Sequence, residues 1–459
     1  MTTRHILWGA LAAGFVCMVL SARPAPQDWF KAETGLGVKK IRLALPDFAS
    51  QNAPTQPLAG VFNQVLWADL DVSGIIDLAS KSFYPPPNTW PSQPGQLQPQ
   101  LQQQPSSWSQ PPLSASMIAI GNLTASGSSL ALQAWLNDVT NPSAPPVLAK
   151  VYQGAATEEG ARDLAHQLAD DIVGLLGGGV PGIARTHIVY SSTQHGVTEL
   201  WVMDYDGANQ HQLTHLRTEA ITPRWSPDAS EIAFTCFVPY RGAVSAQICL
   251  YSMAANQLMH FPRYPGTNSS PAWSPDGREL AFMSSMGRGN DPEIWTTDTS
   301  GGHPKQLTFG LHSVNTEPVW NPKTGQQILF VSDRGGQPEL YTMNSDGSNV
   351  VKIDLADMGY VVDPTWSPTA QGQLVAFSWR RPAGNYDLYV MDLASRQLLQ
   401  LTHDEGRNER PSWAPDGRHL VFQSDRTGHL QIWTMLADGS GSRQLTKVGE
   451  NFSPNWSLK

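Results

Sequence analysis

The sequence has little cysteine and little charge. It contains three cysteines in 459 residues, and Asp, Glu, Lys and Arg together make up 15% of the chain. The formal net charge of −9 argues against nucleic acid or an anionic membrane surface as a general partner. Cys236 and Cys249 lie outside the N-terminal apolar segment and lack the spacing of a metal site. A cross-strand disulfide formed in an oxidising compartment and a pair of buried thiols both fit their positions.

Long apolar runs are also missing, except at the N-terminus. Residues 6–20 form an uncharged, mostly apolar run that follows Arg4 and precedes the small residues Ser21 and Ala22. The run is short for a helix that crosses a bilayer, and the pattern is typical of a secretory signal. We therefore expect a signal peptide over residues 1–22, with a retained membrane anchor as the alternative.

Patterns for catalysis and cofactor binding are absent as well. The chain has no Gly-x-Ser-x-Gly nucleophile elbow, no phosphate loop and no dinucleotide fingerprint. His211 and His215 are four residues apart, but no metalloprotease motif surrounds them. The segment 204–207 resembles a calcium loop, yet a hairpin turn whose Asp bonds its own backbone explains it better. We expect no catalytic residue, no bound metal and no cofactor.

What the chain does contain is a repeat with a period of 43 to 48 residues. Each copy has a short apolar segment with a Pro-x-Trp core, a turn such as Ser-Pro-Asp-Gly, and three further strand-like segments separated by turns. Four short antiparallel strands are the content of one propeller blade. The repeated tryptophans are Trp225, Trp273, Trp320, Trp366, Trp413 and Trp456.

Two incomplete copies predict how the ring closes. The last Trp strand, at 454–457, has no strands after it, and the strand at 187–192 has no Trp strand before it. Together they complete one blade, so we predict a six-bladed β-propeller over residues 185–459, closed by strand exchange between its ends. The repeated Trp is expected to pack between neighbouring blades, and an aromatic ligand platform is the alternative.

Residues 23–184 have a different composition, with alternating strand-like and helix-like segments that predict a small α/β domain. A helix is expected before Gly74, and a second one capped by Thr157 and ended by Gly177. The segment 85–112 is rich in Pro and Gln, and we expect a mobile, partly polyproline loop there.

The loops that precede the Trp strands differ from one another and should converge on one mouth of the central channel. A polar, varied mouth is where a ligand or peptide would bind, and a solvated rim is the alternative. The opposite rim carries nearly identical turns, such as Asp276-Gly277 and Asp416-Gly417, which look structural. The candidate mouth residues are Thr267, Asn268, Asn315, Thr316, Glu317, Asp363, Asn408, Glu409, Arg410 and Asn451.

In its order of domains and in several motifs, the chain resembles the TolB family of the Tol–Pal envelope system of Gram-negative bacteria. The motifs are FPRYPGTNSSPAWSPDGRELAF at 261–282, NTEPVW at 315–320, Asp-Leu-x-x-Ser-Gly at 69–74 and RTHIVYSS at 185–192. The resemblance covers nearly the whole chain after the predicted signal. The chain departs from the family pattern at Tyr264, where the family has His, and in the Pro/Gln-rich segment.

The resemblance implies a non-enzymatic periplasmic scaffold. Its propeller mouth would bind the peptidoglycan-associated lipoprotein Pal, and its extreme N-terminus would contact TolA, with no nucleic acid partner and no membrane insertion after signal removal. Such a protein would support outer-membrane integrity and constriction at cell division, and colicin-type proteins would use the same mouth. Tyr264, Thr267, Asn315 and Thr316 match mouth positions of the family. A secreted propeller hydrolase or a glycan-binding module is the alternative function.

Overall fold

The structure is a computed structural model with two parts, an N-terminal α/β sheet and a β-propeller. The predicted signal peptide lies outside the described residues. Those residues are Phe30, Thr34, Leu36, 39–103, 106–141, 143–310, 312–355, 360–368, 373–380, 384–403 and 405–459. No helix in this described part of the chain has the length and hydropathy needed to cross a membrane.

The N-terminal part is a mixed sheet covered by two long helices. Its strands run in the order β3-β1-β4-β5-β6, with β1 parallel to both β3 and β4, and β2 pairs with β4. Three single-turn 3₁₀ helices lie at Ala53–Thr55, Lys81–Phe83 and Pro87–Thr89. The strands are β1 (Ile41–Ala44), β2 (Ala49–Ser50), β3 (Ile76–Leu78), β4 (Met117–Ser126), β5 (Ser129–Asp138) and β6 (Leu148–Ala155), and the helices are α1 (Gln56–Val72), α2 (Pro94–Gln103), α3 (Ser106–Ser109) and α4 (Glu158–Leu176).

The sequence signals for the start of α4 and for the end of α1 are confirmed. The Thr157 side chain accepts a hydrogen bond from the backbone N–H of Gly160 at 3.0 Å, which caps the start of α4. Gly74, just after α1, has a φ of +70°, a conformation that favours glycine. Both helices pack on the sheet through buried side chains such as Phe62 and Leu168.

The expectation of a mobile loop over residues 85–112 is wrong. Much of this segment forms α2 and α3, and Leu97, Leu101 and Trp108 are buried in an apolar cluster against the sheet. Leu97 and Leu101 are four residues apart and therefore share one helix face. Gln is a good helix former, and Pro94 occupies the first helical position, where its missing N–H costs nothing. Burial of a few apolar side chains outweighs the polar composition.

The propeller has six four-stranded blades, as the repeat predicts. Blade 1 consists of β10 (Ala220–Trp225), β11 (Glu231–Tyr240), β12 (Ala243–Ser252) and β13 (Gln257–Met259), and blade 2 of β14 (Asn268–Trp273), β15 (Glu279–Ser284), β16 (Glu293–Asp298) and β17 (Lys305–Gln306). Blade 3 consists of β18 (Asn315–Trp320), β19 (Gln327–Ser332), β20 (Glu339–Asn344) and β21 (Val351–Lys352), and blade 4 of β22 (Tyr360–Trp366), β23 (Leu374–Arg380), β24 (Tyr386–Asp392) and β25 (Leu398–Gln400). Blade 5 consists of β26 (Asn408–Trp413), β27 (His419–Ser424), β28 (Gln431–Leu436) and β29 (Arg443–Gln444), and blade 6 of β30 (Asn451–Trp456), β7 (His187–Ser192), β8 (Glu199–Asp204) and β9 (His211–Gln212).

The predicted closure by the last strand is confirmed. The C-terminal strand β30 pairs antiparallel with β7, with Trp456 opposite Ile188. The register continues past the strand end, where the Ser457 N–H donates a 2.9 Å hydrogen bond to the carbonyl of His187. The innermost strand of blade 6 therefore comes from the opposite end of the propeller sequence.

Each repeated Trp lies in an apolar cluster shared by two adjacent blades, as predicted. Trp225 packs with Val189 and Leu200 of blade 6, and Trp413 packs with Leu374 of blade 4. The indole Nε1 of Trp273 also donates a 3.1 Å hydrogen bond to the carbonyl of Arg224 in the preceding blade. The tryptophans thus hold neighbouring sheets together.

The N-terminal part contacts the turn rim of blade 5. The side chain of His419 donates from Nε2 to the carbonyl of Val72 at 2.8 Å, and its Nδ1 lies 2.6 Å from Oδ2 of Asp416. Nη2 of Arg418 donates to the carbonyl of Gly74 at 3.2 Å. This one Asp-Gly turn is therefore buried in a domain contact, whereas the equivalent Asp276 is exposed.

Candidate protein-binding site at the channel mouth

The six innermost strands form the wall of the channel, and each begins at the mouth and ends at its Trp. In every one the pairing with the second strand is interrupted by a bulge three residues before the Trp. Non-glycine residues in the left-handed region are uncommon and carry strain. Because one occurs at the same position in all six innermost strands, the bulge is part of the architecture of the propeller. The bulge residues, with φ between 51° and 56°, are Thr222, Ser270, Glu317, Asp363, Arg410 and Ser453.

The bulges are tied to neighbouring blades by hydrogen bonds to their backbone N–H groups. The Arg410 N–H donates to Oγ of Ser378 at 3.0 Å, and the Asp363 N–H donates to Oε2 of Glu317 at 2.7 Å. The Ser453 N–H donates to Oε1 of Gln423 at 2.8 Å. In each case the acceptor belongs to the preceding blade, so these contacts fix the circumference of the channel.

Three of the predicted mouth residues form a charged cluster inside the channel. Nε of Arg410 lies 3.6 Å from Oδ1 of Asp363, next to the Glu317 carboxyl. Burial raises the pKa of Glu317 to about 7, and the negative charge of Asp363 adds to the rise. Burial alone would lower the pKa of Arg410, but the charges of Asp363 and Glu317 raise it overall. The guanidinium of Arg224 also lowers the pKa of Glu317, so two carboxyl groups face two guanidinium groups below the mouth.

The four predicted asparagines are structural. Each lies five residues before its Trp, at the start of an innermost strand, and each is fully buried. Oδ1 of Asn408 accepts a 2.7 Å hydrogen bond from Nη2 of Arg426. Its Nδ2 donates to Oδ1 of Asp387 at 3.4 Å. These buried amides therefore join each innermost strand to the preceding blade and are not exposed to a partner; the four are Asn268, Asn315, Asn408 and Asn451.

Tyr264 is also part of the core. Its side chain is 7% exposed and stacks on Phe282, with ring centroids 5.5 Å apart. Its hydroxyl donates a 2.7 Å hydrogen bond to the carbonyl of Gly301. The ring lies between blades 1 and 2, so it is not an aromatic contact on the mouth surface. Thr267, three residues later, is exposed.

The exposed arginine and tyrosine side chains of the mouth lie on blades 4 and 5, and the sequence analysis did not single them out. The guanidinium of Arg380 lies over the rings of Tyr360 and Tyr386, at 4.9 and 5.5 Å from their centroids. Arg407 lies 6.0 Å from the Tyr386 ring centroid and pairs with the Glu409 carboxylate at 2.9 and 3.2 Å. We name these five residues the aromatic–arginine patch. Glu409, a predicted site residue, is its buried anchor.

A second exposed apolar group lies on the blade 3 side of the mouth. Phe309, in the loop between β17 and β18, is 79% exposed, and Val314 follows in the same loop. Thr316, one of the predicted residues, is half-buried on the adjoining strand β18. Exposed aromatic side chains next to arginines are typical of protein interfaces.

The hairpin of blade 1 extends farther than the others on the mouth side. Strands β11 and β12 have ten residues each, against six in the equivalent strands of blade 2. A disulfide bond joins Cys236 to Cys249 across this hairpin. Among the described residues, no three His, Cys, Asp or Glu side chains are placed to hold a metal ion.

Comparison with known proteins gives the family. The profile described as the TolB beta propeller domain (PD40) matches residues 177–377 and 355–459. The chain belongs to the TolB family. Among curated relatives, it is 30% identical to a "Protein TolB homolog" of Chlorobium chlorochromatii over 48% of this chain and 47% of that protein. It is 32% identical to the Tol-Pal system protein TolB of Bordetella pertussis over 66% of each.

The matched segments thus span about half to two thirds of these TolB relatives' lengths. Among solved structures, TolB from Acinetobacter baumannii superposes with a TM-score of 0.73, covering 92% of this chain and 97% of that one. Its sequence identity is 22%, so this likeness shows the shared fold.

Proposed function

We propose that this TolB-family chain is a non-enzymatic periplasmic scaffold of a Tol–Pal system. Its propeller mouth binds a Pal-like lipoprotein, and its extreme N-terminus contacts a TolA-like inner-membrane protein. In that role it supports outer-membrane integrity and constriction at cell division, and colicin-type proteins use the same mouth during their import. Membership of the TolB family supports the assignment to a Tol–Pal system. The exposed aromatic and arginine side chains of the mouth support its role as the binding surface.

The observation that carries the proposal is the aromatic–arginine patch. Tyr360 and Arg380 are exposed, while Glu409 and Arg407 are held in place by their ion pair. A stacked arginine loses little side-chain entropy on binding, because the ring already limits its motion. Phe309 adds an exposed ring on the other side of the channel. Such preorganised anchors around a concave opening suit a folded protein partner better than a small substrate.

Site-specific photo-crosslinking in cells tests the proposal. A photoreactive residue replaces Phe309 or Tyr360 at the mouth, and Arg278 on the opposite rim serves as the control because its side chain is 86% exposed. We expect the two mouth positions to capture a lipoprotein with a peptidoglycan-binding domain, and Arg278 to capture none.

Equal capture of that lipoprotein from the rim would contradict the proposed surface. Capture of other proteins only, together with hydrolysis of a peptide or sugar panel by the purified chain, would favour the alternative of a secreted propeller hydrolase. Glycan binding without hydrolysis would favour a glycan-binding module.

A further inference from the structure

The hairpin that joins β11 to β12 in blade 1 projects from the mouth of the propeller. Both strands have ten residues, against six in β15 and β16 of blade 2, and the extra residues lie at the mouth end. They pair with each other as far as the turn, where Tyr240 lies opposite Ala243. We name residues 237–246 the blade 1 arm.

The arm is held in place where it leaves the blade. The disulfide between Cys236 and Cys249 crosses its root. The hydroxyl of Thr218 donates to a carbonyl of β11, and Nη1 of Arg263 donates to the carbonyl of Pro239 at 2.6 Å. These two bonds tie the arm to the loops that lead into β10 and β14. A two-stranded hairpin alone is only marginally stable in water, so the disulfide and both bonds preorganise the arm.

The root of the arm also holds the neighbouring mouth loop. Gln247 lies opposite Cys236 in the strand register and is 1% exposed. Its Nε2 donates to the carbonyl of Tyr264 at 3.0 Å, and its Oε1 accepts from the Tyr264 N–H at 3.0 Å. These bonds fix the loop that carries the exposed Thr267. The disulfide, Gln247 and this loop therefore form one connected unit.

The surface of the arm combines an apolar side chain with a cation. Val244 is 67% exposed. The guanidinium of the exposed Arg241 lies 5.2 Å from the ring centroid of Tyr240, the same kind of contact that forms the aromatic–arginine patch. The arm contains no Asp or Glu. Tyr and Arg are enriched at protein interfaces, so this composition suits a protein surface with apolar and acidic groups.

The arm and the aromatic–arginine patch lie on opposite sides of the channel. The six blades follow one another around the ring, so blade 1 lies across from blade 4. Neighbouring sheets pack about 10 Å apart, which separates opposite blades of a six-membered ring by about 20 Å. A partner that touches both surfaces must therefore have the size of a folded domain.

We propose that the blade 1 arm is a second contact for the protein that binds at the mouth, and that the Cys236–Cys249 disulfide maintains this contact. The inference rests on the proposed function, because it takes the Pal-like lipoprotein as the occupant. The arm contacts one side of the bound domain and the aromatic–arginine patch contacts the other. Loss of the disulfide loosens the arm and its adjoining loop and leaves the patch intact.

Calorimetric titration with the purified periplasmic domain of a Pal-like lipoprotein tests the contact. The proteins are the full chain as wild type, Arg241→Ala/Val244→Ala on the arm, and Leu258→Ala as the matched control. Leu258 lies on the outermost strand of the same blade and is 42% exposed. We expect the arm variant to bind about tenfold more weakly than the wild type, and the control to bind as the wild type does.

Reduction tests the role of the disulfide. A dithiol transfers two electrons and two protons to the bond, which gives two thiols, and is itself oxidised to a disulfide. Below the melting temperature, we expect the reductant to weaken binding by the wild type about fivefold, because the arm loses its preorganisation. Cys236→Ala/Cys249→Ala should bind as weakly as the reduced wild type, with or without the reductant. That variant also controls for any effect of the dithiol on the partner.

The outcomes separate this inference from the proposed function. A wild type that does not bind the Pal-like domain would contradict the proposed function and the inference with it. A wild type that binds, together with an arm variant of equal affinity, would overturn the arm contact alone. Equal weakening by Leu258→Ala would also overturn it, because the effect would not be specific to the arm. An affinity of the wild type that the dithiol leaves unchanged would overturn the role of the disulfide.

Discussion

Tyr205 and Asp69 join the propeller to the N-terminal part of the molecule. The Tyr205 hydroxyl donates a 2.6 Å hydrogen bond to Oδ1 of Asp69, and Nδ1 of His166 lies 2.7 Å from the other oxygen. All three side chains are buried. Burial raises the pKa of the Asp69 carboxyl, which opposes ionisation, and the hydrogen bonds from His166 and Tyr205 partly offset that effect.

This contact makes stability depend on pH. Burial alone would lower the pKa of His166, but its hydrogen bond to Asp69 and the charges of Asp69 and Asp206 raise it above 6.5, against the opposing charge of Arg162. A group whose pKa is raised on folding stabilises fully below its unfolded pKa, and that stabilisation is lost as pH rises through the folded value. His166→Gln should therefore cost about 3 kcal/mol or more below about pH 6.5 while Asp69 remains ionised, and less as the solution becomes alkaline.

Thermal unfolding across this pH range checks the prediction, with Tyr205→Phe as the control that leaves the His166–Asp69 pair in place. The difference in melting temperature between wild type and His166→Gln should narrow with rising pH. Tyr205→Phe should lower the melting temperature by an amount that depends little on pH in this range. A gap that widens with pH would contradict the assignment.

Closure of the ring depends on Trp456. Its indole Nε1 donates a 2.7 Å hydrogen bond to Oγ1 of Thr186, and 2% of the residue is exposed. Trp456→Ala should cost about 3–5 kcal/mol of unfolding free energy, because it leaves a cavity between blades 5 and 6. Denaturant unfolding measures the loss. Thr186→Val removes only the hydrogen bond and should cost about 1 kcal/mol of unfolding free energy. Equal losses of unfolding free energy in the two variants would mean that packing of the Trp456 indole contributes little.

The buried asparagines should matter for stability. Asn408→Ala leaves Arg426 and Asp387 without the amide between them, and we expect a loss of about 1–3 kcal/mol in unfolding free energy. Thr267→Ala, an exposed change at a neighbouring mouth loop, is the matched control and should change stability by less than about 0.5 kcal/mol. Denaturant titration measures the unfolding free energy of both variants. Equal unfolding free energies would contradict a structural role for the Asn408 amide.

The disulfide should stabilise the long hairpin of blade 1. Cys236 and Cys249 are separated by 13 residues, and constraining a loop of this length in the unfolded chain is worth about 3 kcal/mol. A reductant should lower the melting temperature of the wild type and leave a Cys236→Ala/Cys249→Ala variant unchanged. A wild type that melts identically with and without reductant would show that the bond contributes nothing.

The ring could be predicted from sequence because its signal is periodic. Trp spacing set the number of blades, and the two incomplete copies predicted the pairing of Trp456 with the strand of Ile188. The burial of Leu97 and Trp108 could not be predicted, because it depends on a surface formed by distant strands.

The candidate site was harder to predict for a similar reason. The mouth loops looked varied, although an Asn five residues before Trp in four of the blades already marked a shared structural position. Tyr360, Tyr386 and Arg380 lie on three different strands of blade 4, and only the fold brings them together. The family resemblance placed Tyr264 at the mouth, but its ring packs into the space between two blades.

The most direct test of the account is a calorimetric titration of the purified periplasmic domain of a Pal-like lipoprotein into three proteins: the wild type, Tyr360→Ala/Arg380→Ala and Arg278→Ala. We predict that the double variant binds at least about thirtyfold more weakly, because truncating an interface anchor costs about 2 kcal/mol or more. The rim variant should bind as the wild type does. Equal affinities in all three folded proteins would contradict a binding surface at the aromatic–arginine patch.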